Sequence, residues 1–205
     1  MMPPIFTDRA PEILLDAQLC ELANYMTHMG ARTAIICGLT GICDKRIRQI
    51  VKGLTGQELP RGPCQFPDAK YFAGRNRKRD PQTNFDSTRY IQIYMSLQRA
   101  FDRPLHNAWL VSAAYEAYTA SCSSKPRLTI NQVFALQRMF SRGELLLRTC
   151  DACRSQYLDL GWYESLETAC PTCMQSCHMH FLAEVGKRGG RRTNAHVKER
   201  MYGIA

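Results

Sequence analysis

Cys150, Cys153, Cys170 and Cys173 constrain this chain more than any other feature. They form two C-x-x-C pairs in CDACRSQYLDLGWYESLETACPTC, with sixteen residues between the pairs. Two residues between cysteines make a tight knuckle that aims both sulfurs at one point. An insert of this length lets the chain fold back as a hairpin and deliver the second pair. Four thiolates are soft ligands that suit zinc better than harder divalent cations, and a site closed by four protein ligands leaves no position for a substrate. The expected cofactor is therefore one structural Zn2+ per chain. Within the insert, Gln156–Leu160 alternates like a strand, and Gly161 permits a turn before Trp162-Tyr163.

Other uses of the cysteines stay open. An iron–sulfur cluster also takes four cysteines. Two disulfides would need an oxidising compartment, and a redox C-x-x-C needs one pair after a strand in a βαβ pattern. Cys177, His178 and His180 follow closely as rival donors, while Pro171 suits the second knuckle and favours Cys170 and Cys173.

A chain of 205 residues can bury a core as one domain, or as one domain with a small appendage. It has no run of apolar residues long enough to span a bilayer, so no membrane partner is expected. Its N-terminus, MMPPIFTDRAPE, lacks the basic and apolar regions of a secretory signal. Ten cysteines without an export signal point to a reducing cytoplasm, where they serve as metal ligands or small buried hydrophobes. The net charge of +9 suits an anionic partner, either nucleic acid or an acidic protein.

Apolar residues recur at helical spacing from Ala10 through Ile13, Leu14, Ala17, Leu22, Tyr25 and Met26, with Gly30 as a stop. A short apolar helix follows from Ala31, then a turn on Gly41, then a second helix starting near Cys43 or Asp44 and carrying Lys45, Arg46, Arg48, Gln49 and Lys52 outward. Ile42, Ile47 and Ile50 face the first helix. This is the shape of a helix-turn-helix, whose second helix reaches DNA, and equally of a plain helical hairpin with a solvated basic face. Residues 53–68 are rich in Gly and Pro and read as a loop.

Two further basic stretches stand out. KYFAGRNRKR, residues 70–79, offers Arg75, Arg77 and Lys78 to a phosphate backbone, with Tyr71 and Phe72 as packing anchors. Residues 187–205 offer Arg188, Arg191 and Arg192. Arg48 and Lys52 complete the candidate DNA contacts. A solvated loop and a solubilising tail are the plainer readings of the last two stretches.

Between them the pattern is helical. One helix begins at Asp80-Pro81, buries Tyr90, Ile91, Tyr94, Met95, Leu97 and Phe101, and ends before Pro104. Another covers Asn107 to Ser121 with Trp109, Leu110, Ala113, Ala114 and Ala117 inward. A third, capped by Thr129, runs from Ile130 to Phe140. The short apolar segment Glu144 to Arg148 docks the cysteine module on the body. The predicted architecture is mainly α, a helical body with a helix-turn-helix-like region and a C-terminal four-cysteine zinc ribbon. Its parts are a helix-turn-helix-like region over 1–58, a linker and helical core over 59–143, the zinc ribbon over 144–180 and a basic tail over 181–205. No metalloprotease helix motif, nucleophile elbow or phosphate-cradling glycine loop is present, so no enzyme is predicted.

The order of these features resembles the FlhC family, whose members join FlhD in the bacterial master activator of flagellar genes. Met29-Gly30-Ala31-Arg32 looks like that family's L-G-A-R segment, and Arg46-Ile47 with Val51 to Gly56 looks like its R-L…Y-K-E-L-x-G helix end. Pro60-Arg61-Gly62 with Phe66 resembles its P-K-G…P-F linker. NQVFALQRMFSRG, residues 131–143, resembles the helix that precedes its first C-x-x-C. The chain departs from the family pattern at Arg154-Ser155, where C-x-x-C-G-G is usual, at KYFAGRNRKR, which replaces a Trp-containing stretch, and after the second knuckle. The resemblance implies a mainly helical fold with a zinc ribbon on the four cysteines, with FlhD subunits, double-stranded promoter DNA and RNA polymerase as partners. It also implies transcriptional activation of flagellar operons; the alternative kept beside it is a zinc-stabilised basic interaction scaffold or non-specific nucleic-acid-binding protein.

Overall fold

The computed structural model describes residues 12–56, 66–74, 80–101, 106–161 and 170–173, with residues 12–15 and 54–55 as backbone only. The expectations for residues 1–11, the linker around Pro60, Arg75 to Arg79, Trp162, Tyr163 and everything after Cys173 lie outside the described residues.

Three helices make the N-terminal part: α1 (Glu12–His28), α2 (Thr33–Thr40) and α3 (Asp44–Thr55). Leu22, Ala23 and Met26 of α1 are buried against Ile35, Ile36 and Leu39 of α2 and Ile47 and Val51 of α3. Gly41 turns the chain between α2 and α3 with φ of +75°, a conformation that a side chain would disfavour, and its N–H closes α2 on the Cys37 carbonyl at 2.9 Å. Asp44 places a negative charge in the first turn of α3, where the helix dipole favours it. Helix α3 runs on to Thr55, past Lys52 and into the stretch read as loop, because Val51 is buried and Gly56 rather than Gly53 ends the helix. Ile50 is only half-buried; Val51 takes the core position instead.

The second part is built on α5 (Pro81–Ala100), α6 (Asn107–Ser121) and α7 (Ile130–Ser141), with the single turn α4 (Ala69–Phe72) against them. The Asp80 carboxylate accepts from the Gln82 N–H at 3.0 Å, and Pro81 sits where a missing N–H does no harm. Thr129 and Gln132 form a reciprocal capping box at the start of α7. Phe72, Tyr90, Ile91, Val111, Tyr118, Val133 and Leu136 fill the interior. The predicted inward position of Ala117 is wrong: it is exposed, and Ala108, Val111 and Tyr118 are buried on α6 instead.

Strands β1 (Leu145–Thr149) and β2 (Gln156–Leu160) pair antiparallel, Leu147 opposite Leu158. The docking segment before Cys150 is thus itself a strand. β2 pairs backward with β1, so the first cysteine knuckle is itself a hairpin turn; the return half of the sixteen-residue insert, 162–169, lies outside the described residues. Leu145, Leu158 and Leu160 belong to the same apolar core as Leu22 and Ile47. The cysteine-bearing hairpin is therefore seated on the helical body by burial of its leucines.

Two long-range contacts fix this arrangement. The Asn131 side chain accepts from the Arg32 N–H at 2.9 Å and donates to the Gly30 carbonyl at 3.1 Å, tying α7 to the turn between α1 and α2. Gly161 donates its N–H to the Glu144 carbonyl at 2.9 Å. A Cβ at Gly161 would fall 1.9 Å from the Gly143 carbonyl oxygen, so no other residue fits there.

Candidate metal centre and basic helix face

The hairpin turn delivers the first two sulfurs. The Cys150 N–H donates to the Ser155 carbonyl at 2.9 Å and the Arg154 N–H to the Cys150 carbonyl at 2.8 Å. Arg154 adopts a left-handed φ of 60° to close the knuckle. Residues Cys170, Pro171, Thr172 and Cys173 deliver the other two, with the Cys173 N–H donating to the Cys170 sulfur at 3.3 Å.

All four sulfurs lie within 4.8 Å of one another. Cys150 Sγ is 3.9 Å from Cys173 Sγ, and Cys153 Sγ is 3.4 Å from Cys170 Sγ. A Zn–S bond of about 2.3 Å places the sulfurs of a tetrahedron about 3.8 Å apart. The cage has the size that a tetrahedral thiolate ion requires, and these four residues could hold one.

The two pairs differ in chemistry. Hydrogen bonds from the Ser155 side chain and backbone pull the Cys153 thiol down to about 6. The Cys153 backbone N–H lowers Cys150 as well. Burial pushes Cys170 up, and hydrogen bonds with the Cys170 and Cys153 side chains push Cys173 well above the usual thiol range. The surroundings of the first knuckle thus favour the thiolate form and those of the second the thiol.

Behind the hairpin, α5 presents polar side chains inward. Asn84 Nδ2 donates to the Leu158 carbonyl at 2.7 Å, and the Leu158 N–H donates to Thr88 Oγ1 at 3.1 Å. Thr88 Oγ1 donates in turn to Asn84 Oδ1 at 3.2 Å, and Gln92 Nε2 reaches Gln156 Oε1 at 2.9 Å. The two bonds to Leu158 satisfy its backbone N–H and carbonyl on the edge of β2 that faces away from β1. On the opposite side, the fully buried Asp159 carboxylate lies 3.2 Å from Arg148 Nε, and its other oxygen accepts from the Leu160 N–H at 2.9 Å. No role was predicted for Asn84, Thr88 or Gln92. The spacing of Asn84, Thr88 and Gln92 at every fourth position does mark one side of a helix, a signal that could have found them.

The second candidate site is the outer face of α3. Lys45, Gln49 and Lys52 are exposed on it. Two neighbouring guanidinium groups are held by acids. Arg46 makes a two-pronged contact to Asp16 of α1 at 3.0 and 2.8 Å, and Arg48 Nε lies 2.6 Å from Asp44 one turn earlier. Arg46 thus fastens α3 to α1, and Arg48 stands beside a carboxylate. Arg75, Arg77, Lys78, Arg188, Arg191 and Arg192 lie outside the described residues, as do Cys177, His178 and His180. No helix among the described residues is long and apolar enough to cross a membrane.

Comparison with known proteins gives one consistent answer. Residues 9–181 match the family model described as "Flagellar transcriptional activator (FlhC)". The chain is similar to the flagellar transcriptional regulator FlhC of Verminephrobacter eiseniae, at 23% identity over 80% of this chain and 86% of that protein. It is also similar to the proteins of the same name from Paraburkholderia atlantica, at 23% identity over 71% and 65% of the two chains, and Pectobacterium carotovorum, at 22% over 71% and 72%.

Proposed function

This chain belongs to the FlhC family of flagellar transcriptional activators, and we propose that it works as the DNA-binding, zinc-holding subunit of a hetero-oligomer with FlhD. As a member of that family it is a transcriptional regulator and not an enzyme. In the proposed role it acts in the cytoplasm, binds double-stranded promoter DNA of flagellar operons and aids RNA polymerase there. The observation that carries the reading is the α2–turn–α3 unit. Its second helix is held from behind by the core and shows Lys45, Gln49 and Lys52 to the outside. A helix so mounted can enter a major groove, where lysines meet phosphates or guanine edges and a glutamine meets adenine.

Cys150, Cys153, Cys170 and Cys173 hold one Zn2+ in this reading. The ion supplies cross-linking of two chain segments, and the residues supply its closed tetrathiolate cage. Arg75, Arg77, Lys78, Arg188, Arg191 and Arg192 add phosphate contacts, each expected to contribute about one unit to the salt slope of binding, and Arg48, paired with Asp44, contributes less.

A gel-shift series tests the proposal. The purified chain, alone and with FlhD, is titrated onto a flagellar operon promoter and onto scrambled DNA across a range of salt. A promoter-specific complex strengthened by FlhD is expected, and Lys45→Ala with Gln49→Ala should weaken it by roughly 10-fold or more. Equal shifts on both DNAs, fading steeply with salt, would reduce the chain to a non-specific basic protein.

A further inference from the structure

The hairpin that carries Cys150 and Cys153 is held on three sides by groups that need no ion. Leu145, Leu158 and Leu160 are buried in the common core. Five antiparallel residue pairs, Leu145 with Leu160 through Thr149 with Gln156, set its register. The outer edge of β2 is taken up by α5: Asn84 is fully buried and Thr88 nearly so, and together they satisfy both the N–H and the carbonyl of Leu158. These two bonds join positions 74 and 70 residues apart in the chain. Because side chains alternate along a strand, fixing the backbone of Leu158 fixes which way every neighbour points. A slip by one residue would turn its leucines out of the core and displace the knuckle.

We propose that Asn84 and Thr88 are positioning residues for the metal centre. They hold the first cysteine pair in place before any cation arrives, so that half of the cage is a product of the helical body. The proposal rests on the metal reading above and goes beyond it. In a free-standing zinc ribbon the ion itself supplies the fold, and the chain without it is unstructured. Here the first knuckle stands on a strand locked to α5. The ion then joins this half of the cage to the second pair. Groups that orient ligands from behind typically alter metal affinity by about 10–100-fold when removed.

The test uses the full-length chain and four forms: wild type, Asn84→Leu, Thr88→Val and Thr88→Ser. Zinc affinity is read by competition with a chromophoric chelator, tetrathiolate geometry by the charge-transfer absorption of bound Co2+, and the Leu158 amide by hydrogen exchange in the metal-free state. Helical circular dichroism monitors the body. The expected result is a protected Leu158 amide in the metal-free wild type. Asn84→Leu and Thr88→Val should lose that protection and bind zinc roughly 10-fold more weakly, and Thr88→Ser should restore both. Should Asn84→Leu fail to fold, Thr88→Val carries the comparison, since it retains the shape and volume of the side chain. Unchanged zinc affinity in a folded Thr88→Val that has lost Leu158 protection would overturn the proposal. So would a Leu158 amide that exchanges freely in the metal-free wild type. A wild-type chain that binds neither zinc nor Co2+ would overturn the metal reading itself, a failure visible without any variant.

Discussion

The two cysteine pairs share a motif and a target but are built in opposite ways. Cys150 and Cys153 sit in the turn of a paired hairpin whose backbone hydrogen bonds and buried leucines define their positions. Their surroundings favour thiolate. The Cys173 N–H donates to the Cys170 sulfur within a single knuckle, and burial with hydrogen bonding among the sulfurs favours thiol. The difference teaches that equal spacing in sequence does not mean equal construction: the first pair stands in a turn fixed by strand pairing, and the second in a short turn that buries Cys170.

The largest effect that bears on this contrast comes from removing a ligand. Cys170→Ser should weaken metal binding by about a hundredfold, roughly one quarter of the free energy typical of a structural zinc, while helical dichroism stays near wild type. Loss of the helical signal would contradict a body that folds ahead of the ion. Acidity probes the same contrast. Binding converts thiols to thiolates, so affinity must rise with pH wherever the free site still holds protons. Cys153, brought down to about 6, is mostly thiolate at neutral pH, whereas Cys170 and Cys173, both raised, still hold protons to release. Zinc affinity should then climb with pH through neutrality, each proton released adding about tenfold per pH unit, and this slope is read directly by chelator competition at several pH values.

Gly161→Ala attacks the seat of the hairpin. Its Cβ would collide with the Gly143 carbonyl oxygen, and the displacement should destabilise the chain by about 3 kcal/mol, a fall in Tm of roughly 6–12 °C. Thermal unfolding of the metal-free chain checks this, and a shift confined to the metal-loaded form would mean that the hairpin is not seated without the ion. Arg148→Ala strips the partner 3.2 Å from the buried Asp159 carboxylate. About 2 kcal/mol of stability should be lost, and Arg148→Ala combined with Asp159→Asn should recover part of it in a double-mutant cycle.

The smallest effect is the control. Asn131→Ala removes two hydrogen bonds between α7 and the α1–α2 turn, and should cost about 1–2 kcal/mol by urea unfolding with zinc affinity unchanged. A parallel drop in zinc affinity would show that any loosening of the body reaches the cage, and the special role of α5 would be lost.

Much of this molecule could be read along the chain. The helix from Asn107 to Ser121, the Thr129 cap, the Asp80-Pro81 start, the strand Gln156–Leu160 and the Gly41 turn all rest on signals spanning a few residues: caps, periodicity, a left-handed glycine. The four sulfurs were legible because a ligand spacing is itself a local geometric statement, and the structure brings all four together. The burial of Asn84, Thr88 and Asp159 was not legible: a spacing can put Asn84 and Thr88 on one side of a helix, but not say that this side is covered. Their burial depends on partners that the folded chain supplies. Sequence alone thus determined most of the helices, the strand Gln156–Leu160, the cysteine cluster and the basic face of α3. Tertiary structure alone decided that the first knuckle is the turn of a hairpin seated on α5, and that Arg46 and Arg48 stand against Asp16 and Asp44. The physical reason is range: propensity and ligand spacing act within a turn or a knuckle, whereas a buried polar group is tolerated only when a partner dozens of residues away arrives to satisfy it.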